Sequence, residues 1–182
     1  MGCPMIDTMT ADQLLHLSLP HKRTELVRGR LIVREPAGTR HGAVAARIAY
    51  RLMAHVENAH AGRVYAAETG FKIAADPDTV RAPDVAFVAL ARLVEPEPAG
   101  FFAGAPDLAV EVLSPGDRPG EVREKVGDWL GAGARLVWII DPEQHSATVY
   151  GSDGSVSLVT PDGALHGGDV LPGFSCALAD LT

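Results

Sequence analysis

The chain has 182 residues, 47% hydrophobic and 21% charged, the mix of an ordinary globular protein. That length suits one core, since single cores stop growing near about 250–300 residues. The 19 glycines and 13 prolines follow no period, which excludes a collagen-like chain. No apolar run approaches the roughly 18–20 residues that span a bilayer.

Met1-Gly2-Cys3-Pro4-Met5-Ile6-Asp7 lacks the basic and long apolar regions of a signal peptide. The two cysteines, Cys3 and Cys176, lie near opposite ends, without metal-ligand or redox spacing. A disulfide scaffold and a zinc finger are excluded, and a cytoplasmic protein is expected. Thr10-Ala11-Asp12-Gln13 before Leu14 and Leu15 reads as a capping box opening a short helix that Pro20 ends. Thr24–Val27 and Arg30–Arg34 around Arg28-Gly29 predict a tight hairpin. The net charge of −7 is unevenly spread. Residues 22–51 hold Lys22, Arg23, Arg28, Arg30, Arg34, Arg40, Arg47 and Arg51 against Glu25 and Glu35, a local +6, and 52–182 carry −11. Such a stretch is a solvated basic face, or a nucleic-acid footprint if it borders catalytic chemistry.

Val44, Ile48, Leu52 and Val56 recur every four residues, the buried stripe of a helix over about 39–59. His41 sits beside that stripe near the positive end of the helix. Strands are expected over 64–69, 71–73 and 80–88, then a proline- and glycine-rich surface loop over 89–106. The continuous apolar run Leu108-Ala109-Val110-Glu111-Val112-Leu113 suits a strand covered on both faces. A helix over about 118–130, a strand over 136–140 and weaker strands at 147–150 and 156–159 complete the pattern. Neither a repeat nor a linker divides the chain. A single α/β domain with a mixed sheet flanked by helices is expected over 1–182, its core about 10–181.

Two carboxylates stand out. Glu111 interrupts an apolar strand, where burial of its charge costs several kcal/mol unless a cation compensates. The compensating group is an arginine in a purely structural ion pair, or the site is functional. Asp84 follows Pro83 in an otherwise apolar stretch, and Pro83 makes that strand an edge or bulged one. Together the two suggest carboxylates at adjacent strand positions, an arrangement that binds hard cations such as Mg²⁺ or Mn²⁺. Lys125, one of only three lysines, lies at the edge of a helix face formed by Val122, Val126, Trp129 and Leu130. It either serves those carboxylates or pairs with Glu121 at i, i+4. Glu68 is a further candidate ligand or simply a strand end. Asp107 shapes the approach to the central strand, and Trp129 and Trp138 read as core aromatics.

Arg81-Ala82-Pro83-Asp84-Val85, Ala105-Pro106-Asp107-Leu108-Ala109-Val110-Glu111-Val112-Leu113-Ser114-Pro115, Lys125 and Trp138-Ile139-Ile140-Asp141-Pro142 resemble the Uma-type family of restriction-endonuclease-like bacterial proteins. Glu25-Leu26-Val27-Arg28-Gly29-Arg30-Leu31, His41 and Val170-Leu171-Pro172-Gly173-Phe174 also match, so the resemblance covers roughly 10–181. It implies a PD-(D/E)XK phosphodiesterase core that hydrolyses nucleic acid, DNA in the first instance, with Mg²⁺ or Mn²⁺. Asp84 and Glu111, with the Val112 carbonyl, are then the metal ligands. The usual lysine two residues after the glutamate is Leu113 here, and Lys125 of the following helix matches the family's displaced lysine. Glu25 and His41 become accessory residues near the metal, and a homodimer is implied. Two alternatives stay open: a non-catalytic dimeric interaction protein on a nuclease scaffold, or a metal-dependent esterase acting on another phosphoester.

Overall fold

The computed structural model describes residues 8–182, so Cys3 and the first seven residues lie outside it. Helix α1 (Ala11–Leu15) opens with the expected capping box: the Thr10 hydroxyl accepts from Gln13 N–H, and the Gln13 side chain accepts from Thr10 N–H. The helix ends at Leu15, before Pro20, where the Leu17 N–H tightens onto the Leu14 carbonyl at 3.0 Å. Strands β1 (Arg23–Val27) and β2 (Arg30–Arg34) form the predicted hairpin. Arg28 and Gly29 both have positive φ, 49° and 74°, as a two-residue turn between twisted strands demands. A side chain at Gly29 would also collide with Thr8 Cβ at 2.6 Å.

Helix α2 (Thr39–Ala59) buries Val44, Ile48, Leu52 and Val56, the predicted stripe, and His41 beside it. Each of its four aliphatic groups contributes about 1.5–3 kcal/mol of burial. Strands β3 (Gly62–Ala66), β4 (Phe71–Ala74), β5 (Thr79–Arg81), β6 (Val85–Ala89), β7 (Phe102–Ala103) and β8 (Leu108–Val112) follow. Helix α3 (Pro119–Gly131), β9 (Leu136–Asp141), β10 (Ser146–Gly151), β11 (Val156–Val159), β12 (Ala164–His166) and β13 (Ser175–Ala177) complete the chain.

Two main sheets result. A five-stranded sheet has the order β2-β1-β5-β4-β7, a six-stranded sheet the order β11-β10-β9-β8-β6-β3, and β12 and β13 pair separately. The six-stranded sheet is mixed: β8 runs antiparallel to β6 and parallel to β9 across α3. Alternation sorts its side chains. Val85, Phe87, Leu108 and Val110 join the α2 core, while Ala86, Val88 and Ala109 join Val126 and Trp129 of α3. Glu111 shares the parity of Ala109 and therefore faces α3.

The expected strand over 80–88 is two strands in different sheets. β5 pairs with β1 and β4, β6 pairs with β3 and β8, and Ala82-Pro83-Asp84 carries the chain across. The ladder stops there because Pro83 has no N–H and the Ala82 N–H is taken by the Glu25 carboxylate at 3.1 Å. Asp84 thus lies at a joint, not within a strand. The expected loop over 89–106 contains a 3-10 turn and β7, which pairs parallel with β4 and packs Phe102 on Phe71 at 5.4 Å. Trp129 and Trp138 are fully buried. Among the described residues no helix is long and apolar enough to cross a membrane.

Candidate active site

One cavity of about 160 Å³ is lined by Glu25, His41, Asp84, Glu111, Val112 and Lys125, which come from β1, α2, the β5–β6 joint, β8 and α3. The pairing of Val85 with Val110 brings the joint against the end of β8. There the Val112 N–H donates to Asp84 Oδ2 at 2.8 Å. His41, in the first turn of α2, meets the same oxygen through Nε2 at 3.1 Å, and its buried Nδ1 has no partner among the described residues. Asp84 Oδ1 has a longer contact, Arg23 Nη1 at 3.4 Å. Burial pushes the Asp84 carboxyl up, but the His41 hydrogen bond and charge and the Val112 N–H outweigh it, leaving Asp84 below the usual carboxylate range.

Glu111 is paired with a lysine rather than an arginine. Lys125 Nζ lies 2.8 Å from Oε2, and the Trp129 indole N–H donates to Oε1 at 3.0 Å. Burial, then the neighbouring Asp84 and Glu25 charges, push the Glu111 carboxyl above its usual range against the pull of Lys125. Burial alone would lower Lys125, yet Glu111 and Glu25 hold it above the ordinary lysine value. Lys125 is therefore an ammonium at neutral pH. Its alternative partner, Glu121, is bound instead by Arg34 at 3.0 Å.

Glu25 is anchored on both oxygens, by the Ala82 N–H and by Arg81 Nη1 at 3.1 Å. Arg81 also donates twice to Asp128, at 2.6 and 3.0 Å. Glu68 borders the cavity as an exposed turn residue with φ 68°. Asp107 is buried, accepts from the Ala89 N–H at 2.8 Å and pairs with Arg92 at 3.0 Å, so it organises the start of β8.

Three side chains of this network escaped sequence reasoning. Trp129 stands four residues after Lys125, so both reach Glu111 from one helix face. Arg23 precedes Glu25 by two residues and shares its face of β1. Arg81 carried no signal beyond its place in the Pro-Asp segment.

The basic segment is largely neutralised within the fold. Lys22 pairs with Glu35, Arg23 with Asp84, Arg28 with Glu124, Arg34 with Glu121 and Arg51 with Asp180, and Arg47 donates to the Leu181 carbonyl. Arg30 and Arg40 are exposed. The local +6 is therefore largely offset by acids outside the segment, and among the described residues Arg30, Arg40 and Arg47 have no carboxylate partner.

Among the described residues no three His, Cys, Asp or Glu side chains converge on a ready-made metal cage. Mg²⁺ does not require one, since it is usually held by one or two carboxylates and several waters. Asp84 and Glu111 bring hard carboxylate oxygens to one cavity, and among the described residues only a long contact engages Asp84 Oδ1. The residues fit a hard divalent cation, provided Lys125 yields Glu111 Oε2.

The structure is similar to the crystal structure of a putative nuclease belonging to DUF820 from Anabaena variabilis ATCC 29413, with a TM-score of 0.82 and 23% identity over 95% of this chain and 97% of that one. At that identity the likeness establishes the fold, an α/β architecture of mixed sheet and flanking helices. No curated protein matches the chain. The family model described as "Uma2: Putative restriction endonuclease" matches residues 11–179, and the chain belongs to that nuclease-like family.

Proposed function

We propose that the chain is a Mg²⁺- or Mn²⁺-dependent endonuclease that hydrolyses phosphodiester bonds of nucleic acid, with DNA as its substrate. The observation that carries this reading is the meeting of Asp84 and Glu111 across the β6–β8 pairing, with the Lys125 ammonium against them in one cavity. Structural stability alone does not favour such a group, because replacing a buried ion pair with apolar side chains is often neutral or better.

Asp84, Glu111 and the Val112 carbonyl would hold the cation. Bound there, it supplies a water of lowered pKa and neutralises charge developing on the phosphate. The protein's own residues do the rest. His41 and the Val112 N–H fix Asp84 Oδ2, leaving Oδ1 as the oxygen turned to a ligand. Trp129 fixes Glu111 Oε1 in the same way. Lys125, as an ammonium, orients the attacking water and stabilises negative charge on the phosphate. His41 serves the site through Asp84, since its Nε2 meets that carboxylate and its Nδ1 is buried.

Plasmid and oligonucleotides are incubated with Mg²⁺ or Mn²⁺, beside Asp84→Ala and Glu111→Ala. Cutting that needs the cation and vanishes in both variants is the expected result. Tight metal binding without cutting favours an esterase for another phosphoester. One observation favours the non-catalytic scaffold: Lys125 already neutralises Glu111, and most of the basic segment is paired. Absence of metal binding would select that reading. The homodimer is tested by light scattering of the purified protein.

A further inference from the structure

Lys125 faces two carboxylates that differ in how they are held. Its Nζ lies 2.8 Å from Glu111 Oε2 and 3.8 Å from Glu25 Oε1. Among the described residues Glu111 has one other side-chain partner, Trp129. Glu25 is clamped by the Ala82 N–H and by Arg81, which Asp128 pins in turn. The Glu25 and Arg81 side chains are only 7% and 5% exposed. Turning Glu25 toward a new ligand would strand buried donors, which is costly. A carboxylate oxygen has two acceptor sites, however, so Oε1 can hold both the Ala82 N–H and an ammonium.

Resting on the divalent-cation reading above, we propose that Lys125 has two seats and that Glu25 is the second. Glu25 is then a positioning residue, not a metal ligand: it receives the ammonium when Glu111 takes a cation. The physical reason is that an ammonium and a divalent cation on one buried oxygen repel strongly in a medium less polar than water. Glu25 offers the ammonium an immobile negative charge a short step away. Closing 3.8 Å to an ordinary charged hydrogen bond of about 2.8 Å needs only a side-chain adjustment of Lys125. The exchange keeps the ammonium inside the cavity while freeing Oε2.

The test is a double-variant cycle read by Mn²⁺ affinity, measured from the electron paramagnetic resonance of free Mn²⁺ and so independent of turnover. Lys125→Met removes the internal rival and is expected to tighten Mn²⁺ about tenfold, the scale on which outer partners tune metal affinity. Glu25→Gln, which keeps an acceptor for Ala82, is expected to weaken Mn²⁺ about tenfold because the ammonium has lost its second seat. In the Lys125→Met background the same Glu25→Gln change is expected to alter affinity less than about twofold, since distinct sites couple only through a shared partner. Equal weakening in both backgrounds would make Glu25 a ligand and overturn the proposal. No effect in either would leave Glu25 purely structural and overturn it too. Both results leave the divalent-cation reading standing, whereas no Mn²⁺ binding by any of the four proteins overturns that reading and the proposal together. Lys125→Gln repeats the cycle should Lys125→Met unfold. Thermal unfolding with and without Mn²⁺ verifies that each protein is folded, and Mn²⁺ should protect the Lys125 variants more than wild type.

Discussion

Replacing Lys125 with methionine tests the electrostatics of the site without reference to activity. The substitution keeps the aliphatic stem and removes the charge 2.8 Å from Glu111 Oε2. Glu111 is 6% exposed, and the Trp129 N–H would be its remaining side-chain partner. Breaking a buried pair by deleting one member costs about 3–5 kcal/mol. Lys125 is itself 17% exposed, so water can enter where the ammonium stood and the lower end, about 3 kcal/mol, is expected. In a chain of this size that lowers the melting temperature by about 6–12 °C. Thermal and urea unfolding followed by tryptophan fluorescence measure it, alongside Lys125→Met/Glu111→Gln. The double variant should recover at least about half of the loss, because no buried charge is left unpaired. The sign of the pH dependence follows from Glu111, whose folded pKa is already raised by burial and rises further without Lys125. Stability contributed through such a carboxyl is lost as pH climbs from the unfolded value through the folded one, so the penalty should be smaller at pH 5 than at pH 8. A drop below about 2 °C, or no recovery in the double variant, would refute the buried-pair argument.

Three further outcomes follow from the same structure. Asp78 accepts from the Ala11 N–H at 2.7 Å and pairs with Lys72 at 2.8 Å, and these contacts hold its carboxyl below the usual range. Its stabilisation is present above the unfolded pKa and lost as pH falls through the folded one; Asp78→Ala should cost about 1–3 kcal/mol at pH 7 in urea titrations and flatten the acid limb. Trp129→Phe keeps the ring against Phe71 but removes the donor to Glu111, and denaturant titrations should show a loss of about 1.5–3 kcal/mol. At Gly62 a Cβ would stand 2.1 Å from the Val88 carbonyl oxygen, so Gly62→Ala should lower stability by about 2–3 kcal/mol or yield insoluble protein on expression.

Much of this was legible in the residues themselves. Local rules set the α1 capping box, the Arg28-Gly29 turn and the four-residue stripe of α2, because capping, turn chemistry and helical periodicity act over a few positions. The apolar run around Glu111 likewise announced a strand buried on both faces. The break at Ala82-Pro83-Asp84 was less legible: Pro83 marked an irregular strand, but one segment passing between two sheets depends on Glu25, 57 residues earlier, taking the Ala82 N–H. Only the tertiary structure gave Lys125 to Glu111 rather than Glu121, turned Trp129 from core filler into a hydrogen-bond donor, and neutralised much of the basic segment with distant acids. A carboxylate's anomaly can be read in one dimension, since its neighbours in sequence already make its environment apolar. Which cation answers it is settled by the packing of α3 on β8, because charges choose partners by distance and solvent exclusion, and both are properties of the folded chain.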